Sequence, residues 1–353
     1  MAYFLVSKKK IIEQINSLRN YFDVISYSYK TNPFIGNLIF DMFKDIMFSI
    51  HSENELKTIT DPSRVLFFLQ GHTFEEINQL FVKGIKNYVI DNETDLKQFL
   101  KVLEKSNTTI ETLFFRLKFK EHTFYTGKYF VYGFDWKIAS ELIEKFDNPK
   151  ITNLGIHFHR KTQNIGEWQI KEELEEIFSY NPKILKKIKI VNIGGGIPWQ
   201  YVNSKPDLSD IFNKIQSLKT FLNSMGILLM SEPGRFIAAP AVRLVATVKN
   251  VYDNTIILDC SIYNAYMDTF LLNLRLRLLN ESEDGYDYLI KGCSPDSLDI
   301  FRYKVKLKKK VKPGDKIVFL DAGAYNFYTE FQQLDKIEYV ITDDFQQEEG
   351  YDS

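Results

Sequence analysis

An alternation of short apolar runs with longer amphipathic segments, between residues 21 and 236, most constrains the fold of this chain. The runs are rich in β-forming residues: DVISYSYK, RVLFFLQ, NYVIDN, TLFFRLKF, TNLGIHFH, IKIVNIGGG and ILLMSEPGR. Segments such as TFEEINQLFVKGI and ETDLKQFLKVLEK separate several of them and have the apolar spacing of helices. Apolar strands alternating with helices favour a parallel sheet, and seven or eight such units favour a closed (β/α)8 barrel of the TIM type.

From about residue 237 the pattern changes to β-rich sequence punctuated by turns. AVRLVATVKNVYDNTIILDCSIY and YKVKLKKKVKPGDKIVFLDAGAY alternate or run in β-branched residues, with YDN and KPGD as turn signals. The sequence therefore predicts a barrel over 21–236 and a second domain over 237–345, of β-sandwich or barrel-like type. Residues 1–20 are expected to contribute to this second domain, and 346–353 form an acidic tail.

Composition limits the classes of function. The chain has 353 residues, 44% of them hydrophobic, which is enough for a large core, and its formal net charge of −1 argues against nucleic acid or a membrane surface as main partner. Two cysteines are too few for a disulfide framework and fit a reducing compartment. The N-terminus MAYFLVSKKK reverses the order of a signal peptide, and no apolar run approaches the ~20 residues that span a bilayer. We expect a cytoplasmic protein.

Polar residues stand at the carboxyl ends of the apolar runs. They are Lys30, Arg116, His159, the glycines 194–196 and Glu232. In a (β/α)8 barrel the carboxyl ends of the strands form the face on which active sites are built. These residues are therefore the first candidates for catalysis and binding.

Taken singly, each of these motifs also has an ordinary structural explanation. NIGGGIP offers unobstructed backbone N–H groups that suit a phosphate, but it lacks both the Walker lysine and the G-x-G-x-x-G spacing of nucleotide sites. SEPGRF can be a salt bridge at a strand end, and most lysines like Lys30 are merely solvated. GIHFHR places two histidines close together, but without other ligands at metal-binding spacing, so no metal site is predicted.

Their order along the chain is more informative: YSYKTNP, GIHFH, GGGIP, EPGRF, CSPDSLD and finally DAGAY. This ordered set resembles the fold type III pyridoxal-phosphate decarboxylases, the group of ornithine, diaminopimelate and arginine decarboxylases. The resemblance covers nearly the whole chain, with lesser matches at SENEL and FRLKF, and EPGRF and DAGAY are its most specific parts. It implies a (β/α)8 barrel followed by a β-domain, pyridoxal 5'-phosphate as cofactor and a small-molecule amino acid as substrate.

The resemblance also implies a role for individual residues. Lys30 would form the internal aldimine with the cofactor, and His159 would stack on the cofactor ring. Glu232 would pair with the pyridine nitrogen and keep it protonated, so that the ring accepts the electrons left when CO2 departs. The remaining cofactor-binding residues would hold the phosphate: Thr162, Gly194, Gly195, Gly196, Gly234, Arg235 and Tyr325.

The segment that contains CSPDSLD departs from the family pattern. In relatives it crosses a two-fold interface into the partner's site, which implies a homodimer with composite active sites. Aligning Gly292, Asp296 and Asp299 puts Pro295 where the family has its proton-donating cysteine, and Cys293 where it has proline. A positioned acid contributes typically ~10²–10⁴-fold to rate. Three explanations stay open: Cys293 is a displaced catalytic acid, a lysine, histidine or water donates instead, or the chain is catalytically altered.

Residues that would bind the substrate give a mixed signal. Asp296 matches the family aspartate that binds the far amine of a basic substrate, and Tyr263 begins the family's specificity loop. The second acidic residue of ornithine decarboxylases is missing from its usual place in that loop, although Asp268 is near. Arg275 and Arg277 follow, and they are either a solvated strand face or a cationic pocket for a substrate with additional carboxylates.

The predicted function is decarboxylation of an amino acid, with release of CO2 and an amine. The substrate is either a basic amino acid such as ornithine, lysine or arginine, as in polyamine biosynthesis, or a citryl-amino acid, as in siderophore biosynthesis. Two alternatives stay open, a non-catalytic regulatory relative that keeps the fold and an amino-acid racemase of the same fold type.

Overall fold

The structure of the protein, a computed structural model, describes residues 1–118 and 132–346. Only the first residue of the predicted acidic tail lies within these residues. The strands in chain order are β1 (Tyr3–Ser7), β2 (Val24–Ser28), β3 (Met47–Ile50), β4 (Val65–Leu69), β5 (Asn87–Ile90), β6 (Ile110–Lys118), β7 (Phe134–Asp135), β8 (Ile151–His157), β9 (Ile188–Asn192), β10 (Leu228–Ser231), β11 (Val242–Tyr252), β12 (Thr255–Leu258), β13 (Glu281–Lys291), β14 (Ile300–Leu307), β15 (Lys316–Phe319) and β16 (Glu338–Thr342).

The α-helices in chain order are α1 (Lys8–Arg19), α2 (Pro33–Met42), α3 (Phe74–Val82), α4 (Glu93–Lys105), α5 (Trp136–Lys145), α6 (Ile170–Tyr180), α7 (Leu208–Ser224), α8 (Arg235–Ala238), α9 (Ile262–Ala265) and α10 (Asp268–Leu271). No helix among the described residues combines the length and the apolar character that crossing a membrane requires.

The first sheet is a closed barrel of eight parallel strands. Its order is β5-β4-β3-β2-β10-β9-β8-β6, and β5 also pairs with β6, which closes the ring, while β7 adds to β6. Helices connect most neighbouring strands, but β3 and β4 are joined by two short 3-10 turns, Glu55–Lys57 and Pro62–Arg64. The structure confirms the predicted (β/α)8 barrel.

Burial of both strand faces explains why these runs form the barrel. Every residue of β4 and β5 is buried, as expected for strands covered on one side by helices and on the other by the barrel interior. Asn92 caps the N-terminus of helix α4, since its side chain accepts the Asp95 N–H at 2.9 Å, and the helix buries Phe99 against Tyr88 of β5 with ring centroids 5.1 Å apart. The amphipathic segments of the sequence are thus the outer helices.

The second sheet has seven strands in the order β14-β13-β12-β11-β1-β16, with β15 paired to β11. Strand β1 lies between β11, to which it is antiparallel, and β16, to which it is parallel. The structure therefore confirms a β-rich region after the barrel.

The chain forms two compact units. One contains Ser17–Pro198 and Asp207–Gly234, and we call it the barrel unit. The other contains Met1–Asn16, Trp199–Pro206 and the described residues from Arg235 onward, and we call it the β unit. The predicted domain boundaries stay a prediction.

Candidate active site

Several of the predicted site residues lie at the carboxyl ends of the barrel strands. Lys30 follows β2 in a 3-10 turn, His159 comes two residues after β8, and Glu232 directly follows β10. Lys30 is exposed, and the charges of Lys30 and Glu232 both influence the titration of His159. The parallel register of the strands thus brings these three side chains to one end of the barrel.

Glu232 is a buried carboxylate held by two neighbours, and its residue is 5% exposed. Asn192 donates a hydrogen bond of 2.6 Å to Glu232 Oε1, and His157 Nε2 lies 3.2 Å from the same oxygen. Burial alone would raise the pKa of Glu232, but the interaction with His157 and with two further histidines outweighs it and lowers that pKa to about 2. Glu232 is therefore ionised at neutral pH.

His159 is held with one ring nitrogen as an acceptor. The Gly195 N–H donates to His159 Nδ1 at 3.0 Å, which fixes the ring and leaves the proton of the neutral imidazole on Nε2. Burial, together with the charge of Arg116, lowers the pKa of His159 to about 3. The ring is therefore uncharged and suited to packing against a flat aromatic group.

The glycine turn after β9 needs its glycines. Gly194 and Gly196 have φ of +66° and +95°, which disfavour other residues, and a Cβ on Gly194 would lie 2.6 Å from the Phe158 carbonyl oxygen. Gly234 is equally crowded, since a Cβ there would lie 2.0 Å from Thr31 Oγ1. Backbone N–H groups with no side chain in the way are what a phosphate requires.

The loop after β8 contains Thr162, which is half-buried. The two cations before it, which are unusual for the resemblance, are neutralised within the barrel unit. Arg160 forms ion pairs with Glu173 and Glu167, and Lys161 lies 3.5 Å from Glu167. They therefore add little net positive charge near the glycine turn.

Sequence reasoning missed His51 and Asn192. His51 follows β3 and stacks on Phe68 with ring centroids 4.5 Å apart, and its backbone N–H donates a 2.7 Å hydrogen bond to Glu55 Oε2. Burial, with the charge of Lys30, lowers the pKa of His51 to about 3. The one available signal was the position of His51 at the end of an apolar run, directly before SENEL. Asn192 had a similar signal, since it ends the run before the three glycines.

In the β unit, Arg235 is buried and already has partners. Its Nη1 donates to Tyr201 OH at 2.9 Å and forms a short contact with Asp268, and the guanidinium carbon lies 5.0 Å from the centre of the Tyr325 ring. The side chain of Asp268 is only 1% exposed. The structure thus pairs Asp268 with Arg235. The role of Asp268 in binding substrate stays a prediction.

Two of the predicted substrate residues contact each other within the β unit. Tyr263 OH donates to Asp296 Oδ2 at 2.8 Å, and Asp296 Oδ1 accepts the Leu298 N–H at 2.8 Å. The backbone hydrogen bond and the tyrosine hydroxyl lower the pKa of Asp296. Asp299 is fully buried and accepts the N–H groups of Ile262 and Ser294, which fixes the segment around Asp296.

Cys293 lies beside the other cysteine of the chain, and its N–H donates to the Cys260 carbonyl at 2.9 Å. Burial, with the charge of Asp299, raises the pKa of the Cys293 thiol. The thiol is therefore protonated at neutral pH, so it carries a proton that it could give.

Both arginines of the predicted cationic pocket have protein partners. Arg275 donates to the Ile300 carbonyl at 2.6 Å and lies over the Tyr303 ring, and Arg277 pairs with Asp321 at 2.6 Å. Both side chains therefore interact with the protein itself, which neither of the two predicted alternatives, a solvated strand face or a cationic substrate pocket, had included.

The groups in the barrel unit fit pyridoxal 5'-phosphate. An amine, an uncharged imidazole, an ionised carboxylate and a turn of bare amides are the donor set that this cofactor uses. Within residues 1–118 and 132–346, Thr31 Oγ1 and His51 Nδ1 are buried and make no hydrogen bond. Buried polar atoms without partners are what a site built for a polar ligand presents.

Comparisons with known proteins agree with this chemistry. Residues 8–239 match the family model described as "Pyridoxal-dependent decarboxylase, pyridoxal binding domain". The carboxynorspermidine/carboxyspermidine decarboxylase of Campylobacter jejuni is 28% identical over 199 residues, which are 51% of this chain and 50% of that protein. The diaminopimelate decarboxylase of Zymomonas mobilis is 21% identical over 86% of this chain and 76% of that one. Among solved structures, a lysine/ornithine decarboxylase of Vibrio vulnificus in complex with cadaverine superposes with a TM-score of 0.80, at 20% identity over 98% of this chain and 95% of that one.

The lowered pKa values predict acid sensitivity. Histidines that stay neutral in the folded protein become protonated in the unfolded chain below its pKa of ~6.5, so the unfolded chain binds more protons as pH falls. Glu232 acts in the same direction below its unfolded pKa. We expect the free energy of unfolding, measured with urea between pH 4 and 8, to be level above about pH 7 and to fall below about pH 6.5.

Replacing His51 by glutamine (H51Q) removes one of these groups. The slope of unfolding free energy against pH between about pH 6.5 and 4 should then decrease, by at most about 1.4 kcal/mol per pH unit. An unchanged slope would contradict the assignment of a neutral imidazole at this position.

Proposed function

Because the chain belongs to the pyridoxal-dependent decarboxylases, a family of carboxy-lyases with pyridoxal 5'-phosphate as cofactor, we propose that it decarboxylates a basic amino acid and releases CO2 and an amine. The observation that carries the proposal is the buried, ionised Glu232, held by Asn192 and His157 at the end of the barrel that also carries Lys30. An ionised carboxylate at this position would stabilise the protonated form of the ring nitrogen of the cofactor.

Each residue of the barrel unit has a task in this proposal. Lys30 holds the cofactor through its amine, the amides of residues 194–196 bind the phosphate, and Glu232 holds a proton on the ring nitrogen. The uncharged His159 packs against the ring, and its bond from Gly195 keeps it oriented. When bound, the cofactor supplies an electron sink for the pair of electrons left by departing CO2.

The substrate is proposed to carry a second amine. The relatives above are named as decarboxylases of carboxyspermidine, diaminopimelate, lysine and ornithine. Asp296, whose pKa is lowered, would bind the far amine as a carboxylate, with Tyr263 fixing one of its oxygens. A citryl-amino acid has no support among these relatives.

We propose further that the protein acts as a homodimer in which Asp296 serves the site of the partner subunit. This follows from the resemblance of the segment around Asp296 to one that crosses a two-fold interface. The non-catalytic alternative rests only on Pro295 at the position of the usual acid.

Replacing Lys30 by alanine (K30A) tests the function directly. We expect loss of the visible absorption of the protein-bound cofactor and loss of CO2 release from ornithine, lysine, arginine and diaminopimelate. Lys57→Ala, an exposed lysine in the β3–β4 connection, is the matched control and should keep both. A wild-type protein that binds pyridoxal 5'-phosphate but releases no CO2 from any amino acid would favour the non-catalytic alternative.

A mixing experiment tests the composite site. K30A and Asp296→Asn (D296N) should each have little activity alone. In a mixed population, half of the dimers pair the two variants, and each of those has one intact site, so about a quarter of wild-type activity should return. Analytical ultracentrifugation verifies the dimer, and a mixture no more active than its components would contradict sites shared between subunits.

Cys293→Ser (C293S) separates the explanations for the missing acid. If the protonated thiol gives the proton, turnover should fall by roughly 10²-fold, within the range of a lost general acid. Turnover that stays at the wild-type value, with a clean amine product, would show that Cys293 only fills space beside Cys260.

A further inference from the structure

Arg235 and Asp268 form an ion pair that is almost completely removed from solvent. Their side chains are 2% and 1% exposed, and Arg235 Nη1 contacts both Asp268 Oδ2 and the hydroxyl of Tyr201. The guanidinium carbon also lies 5.6 Å from the Tyr201 ring centre and 5.0 Å from that of Tyr325. All four residues belong to the β unit.

A guanidinium cannot be buried without a negative partner, because it does not lose its proton at accessible pH. Burial raises the pKa of Asp268, although the charge and the hydrogen bond of Arg235 oppose this rise. Within the described residues, Asp268 forms an ion pair with Arg235 and compensates the charge of its guanidinium. Removal of the charge of Asp268 would take this compensation away.

Asp268 belongs to a different segment from Arg235. It begins α10, between Tyr263 and Arg275, in the stretch that resembles the family's specificity loop. The turn after it is closed by Thr269, whose hydroxyl donates to the Leu274 carbonyl at 2.7 Å. Through Asp268, this stretch is tied to the arginine of the EPGRF motif.

We propose that Asp268 competes with the cofactor phosphate for Arg235: it is the counter-charge of the guanidinium until the phosphate shares that task. The inference rests on the proposed function and on the family resemblance, which implies that Arg235 helps to hold the phosphate. The carboxylate and the phosphate then share one guanidinium, so the presence of either one lowers the free energy that the other gains from binding Arg235. Binding of the phosphate and stability of the specificity stretch are thereby coupled.

The test is Asp268→Asn (D268N), which keeps the shape and an oxygen for Arg235 but removes the charge. Thermal unfolding is measured on cofactor-free and cofactor-saturated protein, and the Kd is measured for pyridoxal 5'-phosphate and for pyridoxal. We expect D268N to melt lower than wild type without cofactor and to gain more in Tm when pyridoxal 5'-phosphate binds. Its Kd for pyridoxal 5'-phosphate should fall about tenfold, while the Kd for pyridoxal, which lacks the phosphate, stays the same.

Asp321→Asn is the matched control, because Asp321 is also buried, in the same unit, and paired with the guanidinium of Arg277. Its loss of Tm should be the same with and without cofactor. Asp268→Glu keeps the charge and should keep the wild-type Kd for pyridoxal 5'-phosphate.

An equal loss of Tm for D268N in both states, with an unchanged Kd, would overturn the proposal and leave Asp268 a merely structural residue. If D268N does not fold alone, its recovery by pyridoxal 5'-phosphate but not by pyridoxal supports the proposal, and no recovery overturns it. Failure of the proposed function is distinguishable, since wild-type protein would then release no CO2 from the amino acids tested above, whereas this proposal is judged from Tm and Kd alone.

Discussion

A negative charge buried at the end of the barrel, on the Glu232 carboxylate, is the constraint on which the rest of the active site depends. Such a charge is tolerated away from water only when polar groups meet it. Asn192 and His157 do so from the ends of β9 and β8. Asn192 also accepts the Gly194 N–H at 2.9 Å, so one amide side chain joins the carboxylate to the glycine turn. The carboxylate proposed for the ring nitrogen and the amides proposed for the phosphate are therefore joined by a single chain of hydrogen bonds.

Local patterns in the sequence were sufficient to predict the barrel, because buried parallel strands and their covering helices have different periodicities. They were insufficient between β3 and β4, where HSENELKTITDPSR has no apolar period and forms 3-10 turns instead of a helix. In the candidate site, the resemblance predicted roles for Lys30, His159 and Glu232, and the parallel register places them at one end of the barrel. It did not reveal Asn192, because the partner of Asn192 is 40 residues away in sequence. The ion pair of Arg235 with Asp268 could not be predicted for the same reason, since spacing along a chain does not show which opposite charge a buried residue pairs with.

Three aspartates of the β unit differ in their surroundings, and the surroundings determine what each carboxylate does. Asp268 is buried against a guanidinium and neutralises it, while Asp299 is buried against backbone N–H groups and fixes a loop. Asp296 is held by a tyrosine hydroxyl and a backbone N–H, and it stays a carboxylate that can meet a cation. In the proposed function Asp296 recognises the far amine of the substrate. The proline beside it cannot supply a proton, so the proton has to come from another group.

Strand β1 has a consequence for the order in which the molecule is made. Its partners are β11 and β16, and Tyr3 pairs with Glu338 near the far end of the chain. A protein that emerges from the ribosome from its N-terminus onward completes all eight barrel strands before either partner of β1 exists. Strand β1 consequently lacks both of these partners throughout translation of the barrel, and its central residues Phe4, Leu5 and Val6, buried in the finished protein, are exposed meanwhile. Nascent chains of this protein thus present an apolar β-edge that chaperones can recognise.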